Sequence, residues 1–144
     1  MKLGPIQKAW VANLRAHPER QIIRALGYST DDERRYGACC LGEGLLTLIR
    51  CSGKYTDEDT LVKNVFDSDN ELVDSDGDVW DYTALICSHN ELGLMTEIGG
   101  IKEPSNEYLG GVGSLAQAND NHYTWAQIAD FIESHPEQLF VKSV

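Results

Sequence analysis

A small α+β domain, with a small antiparallel sheet packed against about three helices, is the fold class that the sequence predicts. Three observations point to it. Apolar residues recur at helical spacing in three separate stretches. Between the second and third, an Asp-Gly pair stands between two short segments that alternate like strands. No linker, internal repeat or low-complexity run divides the 144 residues, so residues 1–144 are expected to form a single domain.

The first helix is expected from Pro5 to Ala16. Proline suits the first helical position, where its missing N–H costs nothing. Ile6, Trp10 and Leu14 form an apolar stripe that Val11 widens. His17-Pro18 ends it, because proline disfavours helical geometry in the residue before it. Gln21–Leu26 (QIIRAL) suits a short strand or a turn, and Thr30–Arg35 a loop. A central helix begins near Cys39, with Leu41, Leu45, Leu48 and Ile49 on its buried face and Gly53 as its stop. Gly42 and Gly44 weaken a helix by up to about 1 kcal/mol each relative to alanine, so another backbone is expected to pack closely there.

In the acidic stretch, Glu71–Asp74 and Asp78–Tyr82 flank Ser75-Asp76-Gly77 as the two strands of a hairpin. Ser88–Met95 (SHNELGLM) is expected to be a short capped helix and Glu97–Lys102 a strand. The glycine-rich remainder up to Gly113 is expected to be loop. Thr124 and Gln127 have capping-box spacing and open the last helix, which His135-Pro136 closes. Leu139–Val141 suits a further strand or a tail that trails over the surface. Trp10, Leu41, Leu45, Leu48, Ile49, Trp125, Ile128 and Ile132 are the expected core.

Composition excludes several functions. Twelve Lys and Arg stand against 23 Asp and Glu, a net charge of −11. Such a chain repels phosphate backbones and anionic bilayers, so neither nucleic acid nor membrane is an expected partner. The charge suits a basic protein partner, or plain solubility. The opening MKLGPIQKAW has no apolar run after its lysine, so no signal peptide is expected. No apolar stretch approaches membrane-spanning length. The cytoplasm is the expected location. The apolar content of 42% supports an ordinary core without a metal or a disulfide. Cys39, Cys40, Cys51 and Cys87 match no zinc spacing, and reduced, buried thiols are expected.

Four clusters invite a chemical reading. Cys39 or Cys40 at a helix start, with His122 and Asn119 or Asp120, has the residue types of a cysteine-nucleophile set. A buried cysteine pair that seats the helix is preferred, and no catalytic residue is expected. Asp74, Asp76 and Asp78 alternate like ligands of a hard cation. Gly77 falls at the fourth position of such a loop rather than the sixth, however, and no glutamate closes it. A hairpin turn is the better reading, and no metal or cofactor is expected. Gly110-Gly111-Val112-Gly113-Ser114 leads into a helix and could hold the phosphate of a small nucleotide, with Tyr108 or Trp125 stacked on the base. The P-loop lysine is missing. Tyr108, Gly111, Gly113, Asn119, Asp120 and His122 are the ligand-binding candidates, although Asn119 and Asp120 also suit Asx turns that bond their own backbone. Finally, residues 57–81 hold ten acidic residues and one lysine. Asp67, Asp69, Asp74 and Asp76 are the candidates for binding a protein partner.

Four stretches also resemble a family of small proteins common in phages and prophages. They are Ile6-Gln7-Lys8-Ala9-Trp10-Val11, Tyr36-Gly37-Ala38-Cys39-Cys40-Leu41-Gly42, Glu91-Leu92-Gly93-Leu94, and Leu115 through Asn119-Asp120 to Thr124-Trp125 and Ile128–Glu133. The chain departs from that pattern at Glu43-Gly44, which replaces an apolar pair. It departs again at Asn121-His122-Tyr123, which replaces a tight glycine turn. The resemblance implies an accessory role in phage biology, in the host cytoplasm, and carries no catalytic residues. A non-catalytic phage or prophage accessory protein that binds and modulates a host protein, of the anti-defence or host-takeover type, is therefore the expected function. The alternatives are a binder of a small molecule or nucleotide, such as a signal sponge, and a small hydrolase using Cys40 and His122. A deep pocket lined by aromatics and a few polar groups favours the first alternative. A thiol in reach of His122 favours the second.

Overall fold

The computed structural model describes residues 1–24, 27–29, 36–53, 61, 72–73, 79–80 and 88–144. Four α-helices carry the fold among them: α1 (Pro5–Ala16), α2 (Cys40–Ser52), α3 (Leu115–Asp120) and α4 (Trp125–Ser134). Strands β1 (Gly27–Ser29) and β2 (Tyr36–Ala38) pair antiparallel, with Tyr28 opposite Gly37. Strands β3 (Leu72–Val73) and β4 (Val79–Trp80) pair antiparallel, with Leu72 opposite Trp80.

The α+β expectation is corrected here. The described chain is mainly helical, and its two ladders remain separate pairs of two- and three-residue strands. Leu72–Val73 pairs with Val79–Trp80 as expected, but among the described residues no further strand or covering helix joins that pair. The physical reason is size: a strand of two or three residues offers almost no apolar face, and a lone two-stranded pair is marginal in water. Helices packing on helices bury the apolar surface instead. Two further expected strands are single bridges, Gly100 to Ser114 and Leu94 to Phe140. The Gly99 backbone turns at a φ of 67°, which a strand through Glu97–Lys102 cannot contain. Ser88–Leu92 forms a 3₁₀ turn in place of an α-helix.

The helices follow their local signals. Helix α1 starts on Pro5, and its buried stripe is Gln7, Trp10, Val11 and Leu14. Gln7 is a buried polar side chain on that apolar face. Its Nε2 donates to the carbonyls of Leu92 (3.0 Å) and Lys142 (2.9 Å), and its Oε1 accepts from the backbone N–H of Gly4 (2.9 Å) and Val144 (3.3 Å). Helix α2 is buried on all sides from Cys40 to Ile49, as befits a central helix. Gly44 meets the Trp10 ring, not a neighbouring backbone: a Cβ there would stand 2.9 Å from it. Trp10 Nε1 donates to the Cys40 carbonyl (2.9 Å). Gly53 ends α2 at a φ of 69°. The Thr124–Gln127 capping box opens α4. Helix α1 packs on α2 and α4, and α3 touches both of those. All eight expected core residues are buried. No described helix is long and apolar enough to cross a membrane.

Glu43, one of the departures from the resembled pattern, is fully buried in α2. Its Oε2 accepts from the Tyr36 hydroxyl (2.7 Å) and its Oε1 from Arg50 (3.1 Å). Arg20 and Arg50 donate to the Tyr36 oxygen at 2.8 and 3.0 Å. The Arg20 guanidinium also lies over the Tyr36 ring, 4.4 Å from its centre. Burial, with the Glu43 charge adding to it, pushes the Tyr36 phenol up to about 12. The folded value exceeds the unfolded one of about 10. The stabilisation is therefore complete below pH ~10 and is lost as the pH climbs through the folded value. Tyrosinate absorbance should show one late ionisation coupled to unfolding, absent from Tyr36→Phe. A Tyr36→Phe titration identical to that of the parent would refute this.

Candidate functional site

Among the described residues, a concavity lies where the N-terminus of α2, the segment 89–98 and both ends of α3 come together. It encloses about 520 Å³. Leu41, Leu45, Leu92 and Leu94 are buried and form its floor, with the Cys39 thiol beside them. Arg24, Glu97, Ile98 and Asp120 also line it but are exposed, so they mark its mouth. The site is thus apolar inside and charged at the rim.

Local sequence builds each wall. Gly93 lets the chain reverse between the two leucines at a φ of 80°. A Cβ there would lie 2.5 Å from the Lys142 carbonyl, so only glycine fits. The turn from Thr96 to Gly100 is clamped to α3, where Leu115 N–H donates to Gly99 (2.9 Å) and Ala116 N–H to Ile98 (3.2 Å). That clamp sets Glu97 and Ile98 at the mouth.

The opposite side of the mouth depends on Asn119 and Asp120. Asn119 is fully buried. Its Oδ1 accepts from Cys40 N–H (3.1 Å), Gln21 Nε2 (3.2 Å) and Trp125 Nε1 (3.3 Å), and its Nδ2 donates to the Ile22 carbonyl (2.6 Å). Gln21 extends the network, donating to the Tyr123 carbonyl (2.6 Å) and accepting from Trp125 N–H (3.1 Å). Asp120 Oδ1 accepts from Arg24 N–H (2.8 Å). Arg24 is held at a φ of 63°, a left-handed conformation that residues with a Cβ avoid. The Asx-turn reading is corrected: these side chains bond distant backbone and side-chain groups, not their own turn.

The cysteines are structural in this setting. Cys39 caps α2, its sulfur accepting from Gly42 N–H (3.4 Å), and the Cys40 thiol donates to the Leu115 carbonyl (3.6 Å). Burial raises both thiols, Cys40 well above its ordinary value. Both stay protonated at neutral pH and are poor nucleophiles. Cys51 is free and exposed, whereas Cys87 lies outside the described residues. Thiol titration of a Cys87→Ser variant should show one fast sulfhydryl, lost on Cys51→Ser. Fast labelling of Cys39 or Cys40 would contradict this assignment.

The ligand-binding candidates are dispersed. Asp120 is at the cavity mouth and Asn119 is buried behind it. His122 is exposed at a φ of 67° and lines neither this cavity nor the second cleft. Tyr108 belongs to that second cleft, of about 300 Å³, where its ring stacks 4.9 Å from Phe131 and 4.8 Å from His135. Gly111 N–H donates to the Tyr108 carbonyl (3.3 Å) and Gly113 N–H to Gln117 Oε1 (2.9 Å), so the protein itself occupies these donors. Trp125 is fully buried and presents no face to a base. Asp67, Asp69, Asp74 and Asp76 lie outside the described residues, as does Asp78. Among the described residues no group of three metal-binding side chains comes together. Sequence reasoning missed Arg24, His89 and Glu97. For His89 and Glu97 the one signal was a polar residue on either side of Leu92-Gly93-Leu94, and Arg24 gave none. No protein family matches this chain, and neither a curated protein nor a solved structure matches it.

Proposed function

We propose that this protein binds a small amphipathic molecule in the α2–α3 cavity and performs no chemistry on it. The observation that carries the reading is the cavity itself, a buried leucine floor beneath a charged mouth. Its volume of about 520 Å³ lies within the range of ligand sites. His89 adds support. It lines the cavity, and its Nδ1 is buried without a hydrogen-bond partner among the described residues. Such an atom costs roughly 1–3 kcal/mol unless something bonds it. Among the described residues the floor is aliphatic, which suits an alkyl body better than the flat face of a nucleobase. Ligand capture is one form of the accessory role that the phage-family resemblance implies, since a sponge acts by lowering the free concentration of a signal. A second reading, docking of a basic host protein, is supported by the net charge of −11 and the acidic density of residues 57–81.

Leu45→Trp tests the first reading by filling the floor. Calorimetry with a neutral aliphatic alcohol should give a stoichiometric heat with the parent and none with the variant, at unchanged circular dichroism. Equal binding by both proteins would overturn the assignment of the cavity.

A further inference from the structure

The cavity mouth leaves two opposite charges open. Arg24 is one. Asp120 holds its backbone in a left-handed conformation (N–H to Oδ1 2.8 Å), which sets the residue at the rim. Its guanidinium makes no hydrogen bond or ion pair among the described residues, although the chain has 23 carboxylates for 12 basic side chains. Glu97 is the other. The Thr96–Gly100 turn holds it in place through the two N–H bonds from α3, and its carboxylate has no partner among the described residues either. Two independent backbone devices, both anchored on α3, thus present a cation and an anion to one apolar cavity. Strained backbone of this kind concentrates where a side chain must be aimed.

Resting on the ligand-binding reading above, we infer that the occupant is a zwitterion with an aliphatic body, of the class of free branched-chain amino acids and short aliphatic peptides. Its carboxylate pairs with the planar donor fork of Arg24, its ammonium group with Glu97, and its alkyl group lies on Leu41, Leu45, Leu92 and Leu94. Asp120 is a positioning residue, because one of its oxygens is committed to the Arg24 backbone. A purely anionic ligand would leave Glu97 facing a like charge, and a purely cationic one would do the same to Arg24.

Four probes that share one branched skeleton separate these cases by calorimetry: leucine, 4-methylpentanoic acid, 3-methylbutylamine and 4-methylpentan-1-ol. Leucine should bind at least about tenfold more tightly than the acid, the amine or the alcohol, one charge-assisted contact corresponding to about one decade of affinity. Arg24→Gln should lower leucine to the level of the amine, Glu97→Gln should lower it to the level of the acid, and Arg24→Lys should restore part of the loss, since lysine keeps the charge without the fork. If the alcohol binds as well as leucine and the variants change nothing, the zwitterion inference falls while the cavity reading survives. The inference also falls if the acid or the amine alone binds tightest. If none of the four binds, the cavity reading falls with it.

Discussion

Asn119→Leu is expected to cost on the order of 3–5 kcal/mol of folding stability, measured by urea denaturation, because four hydrogen bonds, two of them buried and two part-buried, disappear at once. The apolar replacement also leaves Cys40 N–H, at the start of α2, without its acceptor, and the indole N–H of Trp125 unpaired in the core. Asn119→Asp keeps an acceptor for all three donors but sets its second oxygen against the Ile22 carbonyl and buries a charge, so it should destabilise the fold as well. A leucine variant within about 1 kcal/mol of the parent would show that water substitutes for the amide, and that the network does not hold the cavity wall.

Glu43→Leu is also expected to destabilise the fold by roughly 3–5 kcal/mol, since it removes a fully buried carboxylate that accepts from two side chains. Arg50 would lose its carboxylate and Tyr36 the acceptor of its hydroxyl. Glu43→Gln keeps the shape and one acceptor, and should be milder. It should also let Tyr36 ionise at a lower pH, because the Glu43 charge is part of what raises the phenol. Denaturation and tyrosinate titration of the two variants check these outcomes together. An unchanged Tyr36 titration in Glu43→Gln would mean that desolvation acts alone.

The helices were legible because their signals are local. Pro5, the Thr124–Gln127 box, Gly53 and the two His-Pro steps mark ends that the structure reproduces, and the apolar spacing selects the buried faces. The sheet was over-read because Asp-Gly reports a turn between paired strands, not how far the pairing extends. The cavity was not legible. Its mouth is set by side chains that bond across 79 to 97 positions of sequence, Asn119 to Cys40 and to Ile22. Residue spacing carries no trace of such contacts. Gln7, Glu43 and Asn119 defeat a hydrophobic reading for a related reason. Each occupies a buried position with a polar group whose partners lie elsewhere in the fold.

The Gln7 clasp bears on the order in which the chain can be completed. Its amide is fastened by the carbonyls of Leu92 and Lys142 and by the N–H of Val144, while the Val144 carbonyl accepts from the Ile6 and Gln7 backbone. During synthesis on a ribosome, α1 emerges before any of these partners exists. It can coil and touch α2 early, with the Gly4 N–H already on Gln7 Oε1, yet the bonds to Lys142 and Val144 wait until nearly all of these 144 residues have been made. Among the described helices α1 is therefore made first and fastened late, and the nascent chain must carry a partly solvated Gln7 amide until then.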